Sequence, residues 1–64
     1  MKKGDTVELI KDTAFYKKGQ RAIVICEYDR QTGNEKKMTI RYEGERYYVE
    51  DADVMPKELF KLVS

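Results

Sequence analysis

The sequence predicts one all-β domain spanning residues 1–64, and three features carry that prediction. Apolar and polar residues alternate through Thr6-Val7-Glu8-Leu9-Ile10 and again from Lys37 to Tyr42, as they do in strands whose successive side chains point to opposite faces. A run of apolar and largely β-branched residues, Ala22-Ile23-Val24-Ile25-Cys26, lies between them. Glycine, aspartate and asparagine punctuate the intervals, which is turn chemistry.

In chain order, Gly4-Asp5 turns the chain into a first strand in which Val7 and Leu9 face one way and Thr6 and Glu8 the other. Residues 11–19, KDTAFYKKG, form a loop with two aromatics and three lysines, closed by Gly19. The second strand runs from Arg21 to Tyr28, and its continuous apolar run predicts cover on both faces. Asp29 to Asn34 is a polar loop. The third strand, Lys37 to Tyr42, directs Met38, Ile40 and Tyr42 to the core. Glu43-Gly44-Glu45 is a tight turn into a fourth strand, Arg46 to Val49. Glu50 to Val54 reads as one helical or 3₁₀ turn, Met55-Pro56 resets the chain, and Leu59 to Val63 makes the last strand. Met55 to Ser64 also fits a short C-terminal helix, because Pro56 suits a first helical turn.

Composition narrows the function. A chain of 64 residues, 41% of them apolar, fills one core and leaves little to enclose a deep substrate cavity as well. Histidine is absent, which removes the commonest general base and metal ligand near neutral pH. The lone Cys26 lies in the most apolar strand and reads as an inert core thiol. Glu50, Asp51 and Asp53 read as a solvated acidic turn, lacking the ligand spacing of a calcium loop. No enzyme activity, metal or cofactor is therefore expected. The N-terminus MKKGDTVELI turns polar directly after its lysines, so no leader and no membrane association are expected, and a cytoplasmic location follows.

Net charge is +1 but unevenly spread: residues 1–42 carry ten Lys/Arg against six Asp/Glu, and residues 43–64 carry three against six. Binding to an anionic partner must then come from a local patch.

The order of elements resembles the SH3-like barrel, five short strands with a one-turn 3₁₀ helix before the last. Within it, residues 4–26, GDTVELIKDTAFYKKGQRAIVIC, resemble a KOW-type segment: a Gly-Asp-x-Val start, the Lys18-Gly19 pair and a β-branched strand after it. Ala22 stands where such segments carry a glycine. The resemblance implies a binding module, with ribosome-, RNA- or transcription-associated partners among those of the KOW type. Polyproline binding of the signalling SH3 type is not expected, since the chain has no tryptophan.

On such a barrel the first two long loops flank one groove. That placement would bring Lys17 and Lys18 near Lys36 and Lys37, with Tyr16 and Tyr48 supplying apolar contact. Two readings follow. The lysines and five tyrosines suit a protein partner, as for a small inhibitor or adaptor. They also suit RNA or another single-stranded nucleic acid, whose phosphates take the charge while bases stack. The protein reading ranks first, because the acidic C-terminal third would repel phosphates. The same polarity would allow self-association.

Overall fold

A computed structural model describes residues 1–44 and 52–63. Its strands are β1 (Thr6–Leu9), β2 (Arg21–Cys26), β3 (Lys37–Tyr42), β4 (Asp53–Pro56) and β5 (Phe60–Leu62), with a 3₁₀ turn at Lys57–Leu59 before the last. All pairings are antiparallel, in one sheet of order β4-β3-β2-β1-β5. The chain is all-β, as its residue pattern requires.

That order forces the sheet to curl. β4 and β5 are the two edges, and in a flat sheet four strand spacings of ~4.8 Å would hold them ~19 Å apart. Only the 3₁₀ turn joins them, and at ~2 Å of rise per residue it spans less than half of that. The edges must approach, and the nearly equal extents of 26 × 24 × 23 Å agree.

The core lies inside the curl: Val7, Leu9, Ala22, Val24, Met38, Ile40, Tyr42 and Phe60. The alternation expected of β1 and β3 is met, with one addition. Thr39 is buried too, because its hydroxyl donates to the Tyr28 carbonyl at 3.1 Å and accepts the Arg30 N–H at 3.4 Å. β2 departs from its expected cover. Ala22 and Val24 are buried, whereas Ile23, Ile25 and Cys26 stay partly exposed. A register shift between Val24 and Cys26 inserts Ile25 as an extra residue against β3. Cys26 is consequently not sealed in the core.

The return from β3 differs most. β3 pairs with Asp53–Pro56, in the register Met38↔Met55 and Ile40↔Asp53. The expected strand Arg46 to Val49 lies outside the described residues, as do Glu50 and Asp51 of the expected one-turn helix. Asp53 and Val54, assigned to that turn, are strand, and the 3₁₀ turn falls after Pro56. Pro56 ends β4 with extended backbone (φ −61°, ψ 132°). A strand at a sheet edge tolerates proline, because the missing N–H is not needed on its open side. The alternative of a C-terminal helix is settled by Phe60–Leu62, which pairs with β1 as strand.

Candidate functional site

The first loop is set by Thr13. Its hydroxyl donates to the Tyr16 carbonyl and accepts the Tyr16 N–H, both at 3.0 Å, and its own N–H reaches the Tyr16 carbonyl at 2.7 Å. This turn sends neighbouring aromatics in opposite directions. Tyr16 lies inward, its ring stacked on Tyr42 at 3.7 Å between centroids. Phe15 projects into solvent and is 91% exposed. Between the 13–16 turn, Tyr42 and the β4 residues Asp53, Val54 and Met55 lies an open concavity of about 320 Å³.

Tyr42 is 2% exposed, and its hydroxyl is buried without a hydrogen-bond partner among the described residues. Burial, and after it the charge of Asp53, push that hydroxyl up to about 12.

The second loop is organised by Asp29. Its carboxylate accepts the Gln31 N–H at 2.9 Å and the Thr32 hydroxyl at 2.8 Å. The Gln31 N–H bond first, then the Thr32 hydroxyl, hold that carboxyl below its ordinary value. Asn34 continues the scaffold, its side-chain oxygen accepting the Lys36 N–H at 2.9 Å. The Lys36 carbonyl in turn accepts the Lys57 N–H at 3.0 Å, fastening the loop to the 3₁₀ turn. Here a second open concavity of about 440 Å³ forms between Asn34, Lys36 and Lys37 on one side and Pro56, Lys57 and Glu58 on the other.

Both concavities border the stretch Asp53–Glu58, one after the other. Tyr16 belongs to the first, and Lys36 and Lys37 to the second. Lys17 and Lys18 belong to neither. They sit at the base of the first loop, where the Gln20 N–H meets the Lys17 carbonyl and the Gly19 N–H meets the Leu9 carbonyl. That base adjoins the start of β2, whereas Lys37 opens β3 beside the end of β2. Consecutive connections of an antiparallel meander leave opposite ends of the shared strand, here ~17 Å apart for six residues. The expected meeting of the two lysine pairs is thus not what the topology gives. Tyr48 lies outside the described residues.

Four residues of this surface escape the sequence pattern. Lys57 joins Lys36 and Lys37 only because the 3₁₀ turn folds beside the second loop. Val54 and Met55 line a wall only because 53–56 is strand. Phe15 carries no residue-type signal separating it from Tyr16; the Thr13 turn decides which of them faces out.

Beyond the end of β2 the Tyr28 hydroxyl is raised above its ordinary value, first by hydrogen bonding to Cys26, then by the charge of Cys26, by desolvation and by Glu27. Among the described residues, no group of three or more Cys, Asp or Glu is arranged to hold a metal ion, and no helix is long and apolar enough to cross a membrane.

A family model described as a protein of unknown function (DUF2963) matches residues 4–40, from the turn before β1 into β3. No curated protein and no solved structure matches the chain.

Proposed function

We propose that this chain, a member of the DUF2963 family, is a small SH3-like interaction module that binds a protein partner without catalysing a reaction. The carrying observation is the pair of adjoining concavities along Asp53–Glu58, one walled by Phe15 and Tyr16 and the other by Lys36, Lys37 and Lys57. An apolar anchor site beside a charged one is the usual division of labour at a protein interface, where aromatics give binding energy and charges give selectivity and rate. An exposed phenylalanine supports the same reading, since buried aromatics are the common anchors of interfaces. Lys17 and Lys18 line neither concavity and contribute through the long-range field that steers an anionic partner. The KOW-like character of residues 4–26 belongs to this proposal as well, as does a cytoplasmic setting.

The test is capture of partners from a lysate of the source organism, with and without nuclease, by the wild type and by Phe15→Ser and Lys36→Glu/Lys37→Glu variants. A protein retained after nuclease by the wild type and lost by both variants is the expected result. Capture that depends on nucleic acid would replace this reading with RNA or single-stranded nucleic-acid binding.

A further inference from the structure

Building on that module reading, we infer the chemistry of the partner: an extended acidic peptide segment. One apolar side chain of it fills the Tyr16 concavity, and carboxylates three residues away meet Lys36, Lys37 and Lys57.

Charge sets the acidic half. Three lysines and one carboxylate, Glu58, line the second concavity, and none of those lysines makes a salt bridge among the described residues. The Asp29 carboxylate also acts electrostatically on Lys37, and the net positive charge that remains among the described residues calls for an anionic occupant. Asp53 stands in the other concavity, so the acidic end of a ligand is directed to the lysine side. That fixes which end of the ligand lies where.

Spacing sets the register. Residues 53–55 border the apolar concavity and residues 56–58 the basic one, so their midpoints are three residues apart. At ~3.3 Å per residue in the strand and ~2 Å on entering the 3₁₀ turn this is ~9 Å, close to the span of three residues in an extended ligand lying alongside. An apolar residue at one position with Asp or Glu three positions away satisfies both sites at once.

The surface favours peptide over nucleic acid. Tyr16 and Tyr42 are stacked on each other at 3.7 Å, so a face of each is already taken, and Tyr42 is buried. Of the described aromatics lining this concavity, Phe15 alone stands fully free for a base. Asp53 and Glu58 place a carboxylate in each concavity, on the line a phosphate backbone would follow. A peptide has only to put its acids at one end.

The test is selection from a random short-peptide display library on the immobilised chain, with single-stranded polythymidine titrated in parallel at low and moderate salt. Enriched peptides should carry an apolar residue with Asp or Glu three positions away. Their affinity should fall about tenfold in the Lys36→Glu/Lys37→Glu/Lys57→Glu variant and about tenfold or more in Phe15→Ser, both with an unchanged circular dichroism spectrum. Replacing the peptide's acids by lysine should restore binding to the lysine-reversed variant, which a purely structural role of the lysines would not do.

Enriched peptides without acids overturn the inference; if they still lose affinity in Phe15→Ser, the module reading stands without it. Binding indifferent to both variants overturns the site itself. Salt-sensitive polythymidine binding with no enriched peptide overturns the inference and the protein-binding reading together. Absence of any binder overturns the inference and leaves the module reading to the capture experiment.

Discussion

Replacing Tyr42 by Phe should make the protein more stable, against the usual direction for loss of a polar group from a core. The hydroxyl is buried and lacks a partner among the described residues. A group in that state costs about 1–3 kcal/mol, because folding takes its water and returns no bond. Phe keeps the ring that stacks on Tyr16 and meets Phe60 at 6.4 Å, and leaves a void only one oxygen in size. A net gain of about 1 kcal/mol at neutral pH follows, or about 4–8 °C in Tm for a domain of this size. The gain should grow in alkali. Burial, with Asp53 second, moves the Tyr42 hydroxyl from 10.0 to about 12. Since the folded value is the higher one, the unfolded chain releases its proton first. This contribution is complete below about pH 10 and is lost as the pH rises toward 12. At ~1.36 kcal/mol per pH interval, the wild type should lose roughly 2 kcal/mol relative to Tyr42→Phe across that range. Urea unfolding of both proteins from neutral pH to about pH 12, compared at equal m, measures the difference directly. A variant less stable than wild type by about 1 kcal/mol at neutral pH would mean the hydroxyl is bonded after all. A difference that stays flat in alkali would mean it is not desolvated.

Glu8 faces Arg21 on β2 and Lys61 on β5 across the ladder, at 3.6 and 3.2 Å. Glu8→Gln should cost about 0.5–1 kcal/mol in low salt, and chemical denaturation should show the loss shrinking as salt is raised. Gly19 closes the first loop at φ +97° with open space where a Cβ would go. Gly19→Ala should therefore cost about 1–2 kcal/mol through backbone strain alone, and a thermal melt showing no loss would refute that account. Asp29→Asn should lower the urea midpoint by weakening the second loop. Because the Asp29 carboxyl lies below its ordinary 3.8, its contribution is present above that pH and is lost as the pH falls through the folded value. The two proteins should therefore converge in acid, and a constant gap down to low pH would refute the role of the charge.

The parts of this fold legible in the sequence are those that local pattern determines. Val7, Leu9, Met38, Ile40 and Tyr42 announce themselves by alternation, and Gly19 and Asp29-to-Asn34 by turn chemistry. Illegible parts depend on long-range register. β3 could pair with any segment arriving antiparallel beside it, and the Met38↔Met55 register is chosen by burial that no local window contains. Once that register is fixed, Pro56 becomes an edge residue instead of a breaker and Lys57 moves beside Lys36. The relative placement of the two lysine pairs is illegible for a related reason. Sequence shows that both loops are basic, but only the antiparallel order shows that they leave opposite ends of β2.

The two aromatics of the first loop divide folding from recognition, and this decides which variants can be interpreted. Tyr16 stacks on Tyr42, which in turn packs on the core residue Phe60, so Tyr16→Ala removes a ring pair worth about 0.5–1.5 kcal/mol besides its burial. A domain of this length holds only ~3–10 kcal/mol in total, so lost binding in Tyr16→Ala would not separate a missing contact from a partly unfolded protein. Phe15 and Lys36 are exposed, and neither side chain belongs to the core cluster. Substitutions there act on the surface with the fold held constant. If the face along Asp53–Glu58 is the binding surface, Phe15→Ser should abolish capture of a partner while leaving the urea midpoint within about 0.5 kcal/mol of wild type. A variant that loses both together would show that Phe15 serves the fold, and the anchor would have to be sought elsewhere.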